Sequence, residues 1–461
     1  MRKVFLFSHS PSFQIERGML HQAIMNIFEK TGNRFNSETG GEYTMADKKA
    51  PSNVHKFLLL WSGQLVSAIG GGLTSFGLGV YVFNQTGSAA GMAMVTLLAF
   101  LPTLVLSVPA GVLADRYDRR LLMMLGDGLS AIGILYILIC MLRGGAALVQ
   151  ICIGVFISSV FSSLLEPAYR ATVTDLLTKE EYSKASGMVS LAGSARYLIS
   201  PLLAGLLLAV SNIKLLLMID ICTFFLTVIT TGIVKRGLTA KAAAIQESFV
   251  ESFRGGWRAV TRKRGVIILI LVSSVLTCFM GAFQILAEPL LLDFTTSTVL
   301  GIAETVCACG MLASSLLLGI RGIQKGYVKV LCISLFLAGI AMVVFGLKEN
   351  IYLIGASGFC FFAMLPFANN SLDYLVRTNI SGNLQGRAWG LIGFLSQIGY
   401  VVAYGTAGLM ADGIAKGMKI GVGRGAAAVI ILSGVLLGLT AAILYRIKSV
   451  KELECDDKKT H

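Results

Sequence analysis

The sequence predicts an all-α membrane protein of twelve transmembrane helices in two six-helix bundles. Three observations predict it. Charged residues are 14% of the 461, while 55% are hydrophobic and mean hydropathy is +0.75; a soluble domain carries roughly 25% charge. The chain holds twelve runs of about 20 mostly apolar residues, the length that crosses a hydrocarbon core. Its basic residues gather in alternate loops, as the positive-inside rule requires.

The runs fall at 57–83, 89–110, 121–142, 146–169, 185–210 and 213–234, then at 266–292, 297–320, 328–347, 350–376, 387–411 and 425–446. An unpaired backbone amide is costly in hydrocarbon, so each run must be a helix. The domain plan follows: a tail over 1–55, one bundle over 56–235, a central loop over 236–264, a second bundle over 265–447 and a tail over 448–461. Within the first tail, Gly40-Gly41-Glu42 can be encoded by a purine-rich stretch resembling a ribosome-binding site, a few codons before Met45. Translation is therefore expected to start at Met45, leaving 1–44 as a mis-assigned start.

With the first tail in the cytoplasm, 32 of the 39 Lys and Arg residues lie on that side and 6 on the other, and Arg196 lies within a helix. Both termini are thus expected to be cytoplasmic, which demands an even number of spans. The net charge of +14 then becomes a topology signal, and nucleic acid is not an expected partner. The central loop ends in Arg254, Arg258, Arg262, Lys263 and Arg264 around Trp257. Either an interfacial helix on the anionic leaflet or a plain basic linker accounts for that cluster.

Fifty-one glycines suit close helix packing. Eight of the nine cysteines lie in apolar runs, and no CxxC pair occurs, so packing is their expected role. His9, His21, His55 and His461 all fall outside the runs, which removes the usual general base or metal ligand from the membrane. No GxxxxGK[ST] phosphate loop is present. An enzyme is not expected, nor a cofactor, a metal or ATP hydrolysis on this chain.

Between the second and third runs stands Gly111-Val112-Leu113-Ala114-Asp115-Arg116-Tyr117-Asp118-Arg119-Arg120. This resembles the signature loop of the major facilitator superfamily, GxLaDRxGRR, with Asp118 replacing the second Gly. That replacement resembles the drug- and siderophore-exporting branch. Leu165-Glu166-Pro167-Ala168-Tyr169-Arg170-Ala171 with Asp175 is similar to the end of the fourth span in macrolide-efflux and enterobactin-exporting proteins. Arg377-Thr378-Asn379 with Gln385-Gly386-Arg387, and Ser75-Phe76 with Thr86-Gly87-Ser88, extend the likeness over about 56–447. In the fifth span, Ser200-Pro201 resembles the Gly-Pro of the family's antiporter motif.

The resemblance implies two bundles rocking about a midplane site. It also implies a latch: Asp115 facing the positive N-terminus of the eleventh span near Gly386, helped by Arg387. Gly111 would let helices approach closely. Glu166 would pair with Arg119 or Arg120 and compete, and Arg116 completes the motif. A plainer reading leaves these charges to topology alone.

Charge inside the membrane costs several kcal/mol, so each instance is a functional candidate. Arg196 is near-midplane, and one reading pairs it with Glu304 across the bundle interface, Glu304 releasing it on protonation. The other has Arg196 cap carbonyls freed near Pro201 while Glu304 faces a wet vestibule. Asp127 is expected to anchor Arg119 or Arg120, with proton carriage as the alternative. Asp220 and Glu288 are expected near external ends, within reach of water, and Asp373 to pair with Arg377. Gln64, Asn369 and Asn370 line a cavity or bond between helices.

The function implied is a monomeric, proton-coupled exporter of an amphipathic small molecule, a drug such as a macrolide or a siderophore, in the bacterial cytoplasmic membrane. The alternatives are an importer or lysophospholipid transporter of the same fold, and a non-transporting receptor or scaffold.

Overall fold

A computed structural model describes residues 53–178, 181–235, 257, 261, 264–380 and 385–455. The first tail up to residue 52, Met45 included, lies outside these, as does the central loop except Trp257, Thr261 and Arg264; Trp257 and Thr261 are exposed. Among the described residues the ordered elements are helices: α1 Val54–Thr86, α2 Ala89–Arg116, α3 Arg119–Leu142, α4 Leu148–Ser162, α5 Leu165–Leu176, α6 Tyr182–Leu198, α7 Ser200–Val210 and α8 Ile213–Lys235. After the central loop come α9 Arg264–Leu292, α10 Ser297–Arg321, α11 Tyr327–Leu347, α12 Ile351–Thr378, α13 Gln385–Met418, α14 Val422–Arg446 and α15 Lys448–Cys455. Twelve helical stretches are long and apolar enough to cross a membrane, α4 with α5 and α6 with α7 each counting as one.

Local chemistry sets the ends. Gly87 closes α1 in the left-handed region at φ 59°, and Ser88 then caps α2 by accepting from the Gly91 amide. Asp118, Thr296 and Asn350 cap α3, α10 and α12 in the same way. The fifth span is interrupted at Ile199, because Pro201 supplies no amide to the preceding turn. The fourth is interrupted at Ser163–Leu164. His55, expected outside the first span, lies exposed in the first turn of α1.

The two-bundle arrangement is visible in the packing. In the first half α1 packs on α8 and on α6–α7, α3 on α4 and α8, and α2 on α4. Six spans later the same pairs recur: α9 on α14 and α13, α11 on α12 and α14, α10 on α12. The second half centres on Phe283, stacked on Phe361 at 4.4 Å and edge-on to Phe345 at 4.6 Å.

The second tail begins with an amphipathic helix that the sequence reading missed. Val450 and Leu453 of α15 are buried, Glu454 accepts the Tyr327 amide of α11 at 3.1 Å, and Asn379 donates to the Leu453 carbonyl at 3.1 Å. This helix fastens the loop ends of the second half together. The packing role expected of the cysteines is visible at buried Cys152, Cys307 and Cys332, whereas Cys222, Cys309 and Cys360 are exposed.

Candidate functional site

The two ends of the bundle differ. We call the end holding the α2–α3 turn, the end of α8 and the start of α9 the basic face, and the other the charge-poor face. Two seams join the halves near the charge-poor face. In one, α7 meets α10: a Cβ on Gly205 would stand 2.7 Å from the Ser297 carbonyl oxygen, and Thr298 donates to the Gly205 carbonyl at 3.1 Å. In the other, α2 meets α13: a Cβ on Gly408 would stand 2.7 Å from the Ala89 carbonyl oxygen. Nearer the basic face, Gly111, Gly187, Gly193, Gly319 and Gly393 have no neighbour within 4 Å of a Cβ position, as is also the case for Gly405, Gly413 and Gly417 farther along α13. Among the described residues the hydrogen bonds between the halves gather toward the charge-poor face, so the cleft between them lies on the basic-face side of these seams.

Aromatic rings from both halves close its blind end. Phe100 of α2 meets Tyr404 of α13 edge-on at 5.6 Å and Tyr400 at 5.7 Å. Tyr404 Oη is 3.3 Å from Gln284 Oε1 on α9, to which it donates. Tyr197 of α6 is exposed, and the charge of Arg196 acts on Tyr404 across the halves.

Arg196 pairs neither with Glu304 nor with carbonyls near Pro201. Its Nη2 donates to Ser75 Oγ of α1 at 3.0 Å, its stem lies along Gly72, and its charge acts on Asp220 of α8. The Leu198 carbonyl beside the break is instead taken by Thr305 Oγ1 of α10 at 3.1 Å. Glu304 lies in the field of Glu288. Neither Asp220 nor Glu288 reaches outward as expected: Asp220 is 1% exposed beside Thr74 and Thr223, and the Glu288 carboxylate fills the space over Gly79 of α1, near Met92. Helical phase decides this, because both residues point into helix contacts and not along the axis toward water.

The signature loop departs from expectation in three places. Glu166 bonds Arg170 at 2.5 Å on the exposed side of α5 and does not reach Arg119 or Arg120. Arg119 is held by Asp175 at 2.8 Å and the Ala171 carbonyl at 3.1 Å, with Asp115 at 3.8 Å. Asp127 anchors neither arginine; it is 1% exposed, against Gln64 of α1 and Thr227 of α8, and its Oδ2 and Gln64 Nε2 make no hydrogen bond of standard geometry. Gly111 makes no close approach in this conformation. Arg116 is exposed and Arg120 buried. Gly386 and Arg387 lie on α13, their side chains outside the described residues. Asp373 and Arg377 pair at 3.3 Å, and Asn369 and Asn370 are exposed on α12.

Twelve apolar spans packed as two bundles of six define a multi-pass membrane protein with a transporter's architecture. Residues 60–404 match the model of the Major Facilitator Superfamily, and the chain belongs to that family. Macrolide efflux protein A of Streptococcus pyogenes is 26% identical over 410 residues, covering 87% of this chain and 97% of that protein. Multidrug efflux pump Tap of Mycolicibacterium fortuitum is 23% identical, covering 85% and 96%. Among solved structures, a bacterial homologue of the human lysosomal transporter Spinster, inward-facing and unoccupied, superposes with TM-score 0.69 at 14% identity over 89% of this chain and 99% of that one.

Proposed function

We propose that this chain is a secondary-active exporter of amphipathic small molecules, driven by proton antiport and working by alternating access. The carrying observation is the blind end of the cleft, where Phe100, Tyr400 and Tyr404 offer ring faces beside Arg196. Apolar cargo stacks on such rings. Asp220, Glu288 and Glu304 lie around the same closed end and are the groups through which a proton would be exchanged for cargo. The efflux relatives favour outward transport, and macrolides belong in the first substrate panel.

Residues 56–235 and 265–447 are the rocking bodies, joined by 236–264. The excess of Lys and Arg assigns the basic face to the cytoplasm, with both termini there. Asp115 latches the basic face against the N-terminus of α13 when the cleft opens outward. The exporter acts as a monomer in the cytoplasmic membrane.

The test is drug accumulation in cells with and without the gene, with a protonophore as a third arm. An exporter lowers accumulation, and the protonophore erases the difference. Equal accumulation across a panel of macrolides, cationic dyes and siderophores would overturn the proposal.

A further inference from the structure

α11 and α14 pack as an antiparallel pair, α11 starting and α14 ending at the basic face. On α11, Ile333, Phe336 and Ile340 form an exposed apolar line, and exposed Lys329 continues it by one turn. On α14, Leu439 and Ile443 are exposed, with exposed Tyr445 and Arg446 following them. The two lines adjoin where a Cβ on Gly438 would stand 3.8 Å from the Phe336 ring. They bound an apolar furrow with a cationic end. From Lys329 to Ile340 the furrow runs about 16 Å at 1.5 Å per residue, half of a hydrocarbon core of about 30 Å. That is the depth of one acyl layer.

α15 packs across the cationic end. Lys451 Nζ lies 4.5 Å from the centre of the Tyr445 ring, and its charge acts on Cys332 of α11, so it stands at the mouth of the furrow. Lys329, Arg446, Lys448 and Lys451 are all exposed, and none has an acidic partner among the described residues. Glu454, half-buried on α15, is turned inward to the Tyr327 and Val328 amides.

We propose that this furrow binds one anionic phospholipid of the leaflet on the basic face. Its phosphate sits among Lys329, Arg446 and Lys451, and an acyl chain lies along Ile333, Phe336 and Ile340. Cations at the end of a span attract anionic headgroups, and Tyr445 supplies an aromatic ring at the same interface. A lipid held there joins α11, α14 and α15 and stabilises the second half by mass action.

The first half supplies an internal comparison. α3 and α8 pack in the same way, yet the third residue of α3 is exposed Leu121 where α11 has Lys329. The cation that ends α8, Lys235, lies 3.7 Å from Asp118, the cap of α3, so its charge is already met. Topology alone asks for cations on this face and not for their gathering at one furrow. The site stands independently of the direction of transport.

Native mass spectrometry of the full chain in detergent tests it, titrating dioleoylphosphatidylglycerol or dioleoylphosphatidylcholine. Wild type should retain one phosphatidylglycerol more tightly than phosphatidylcholine; equal affinity for the two would overturn the inference. Lys329→Gln/Lys451→Gln should weaken phosphatidylglycerol about thirtyfold, the equivalent of about 2 kcal/mol, and leave phosphatidylcholine unchanged. Wild-type affinity in that variant would remove the site. Lys348→Gln/Lys416→Gln takes the same charge from the charge-poor face and should bind as wild type does. Equal weakening there would reduce the effect to net charge and overturn the site. Soluble glycerophosphoglycerol, a headgroup without chains, should fail to displace the lipid, and full displacement would rule out the furrow. Lys329→Glu alone, at an exposed position, replaces the double variant should that fail to fold, with the same two-lipid readout.

Discussion

Arg196 of α6 donates to Ser75 of α1 across 3.0 Å, so this intramembrane charge is held by its own half of the protein. The exposed guanidinium of Arg196 lies on the side of α6 that faces α1, where the buried carboxyl of Asp220 on α8 also meets α1 at Gly70.

Arg196→Ala should therefore abolish export, because it leaves Asp220 buried without its cation. Ser75→Ala removes one hydrogen bond from a charged donor, worth about 1.5–3 kcal/mol at most, and should retain measurable export. Accumulation of a transported drug, with expression matched by immunoblot, checks both. Full export by Arg196→Ala would remove this residue from the mechanism.

The blind end should respond to ring removal more than to loss of a hydroxyl. An aromatic pair contributes about 0.5–1.5 kcal/mol, so Phe100→Ala should raise KM about two- to tenfold for a ring-bearing substrate. Tyr404→Phe keeps the edge-on contact with Phe100 and gives up the bond to Gln284. Its KM should change less than that of Phe100→Ala in proteoliposome uptake assays.

At the basic face, two ion pairs of similar length should differ in weight. Arg119–Asp175 is mostly shielded, at 27% and 19% side-chain exposure, whereas Arg170–Glu166 is open at 70% and 65%. Exposed i,i+4 pairs contribute a few tenths of a kcal/mol, about 0.3–0.5. Glu166→Gln should leave the melting temperature unchanged, and Asp175→Asn should lower it, as read by thermal shift in detergent.

The α15 helix should stabilise the second half. Glu454→Gln weakens a cap on α11 worth about 1 kcal/mol, which in a domain of 150–250 residues lowers the melting temperature by about 2–4 °C. Ending the chain after Arg446 should cost more, because Val450 and Leu453 leave their buried positions as well. An unchanged melting temperature in both would make α15 an ornament of the fold.

Much of the fold was legible because lipid is a demanding solvent. Backbone amides in hydrocarbon must bond within their own segment, so apolar length alone located α1, α8 and α14 to within a few residues. The motif at Gly111–Arg120 likewise announced its family from local spacing.

What sequence could not decide was helical phase and partnership. Asp127 reads as a neighbour of Arg119 along the chain, yet the rotation of α3 turns it to Gln64 and Thr227. Asp220 and Glu288 read as close to water by depth, yet both face other helices. Asp412 carried no signal at all, since its three donors come from Ser88, Ala89 and Ala90, more than 320 positions away in the chain. Hydropathy records how deep a residue lies, because that depends on its own helix. Which way it points, and what it meets there, depends on how two bundles pack, and only the tertiary structure decides that.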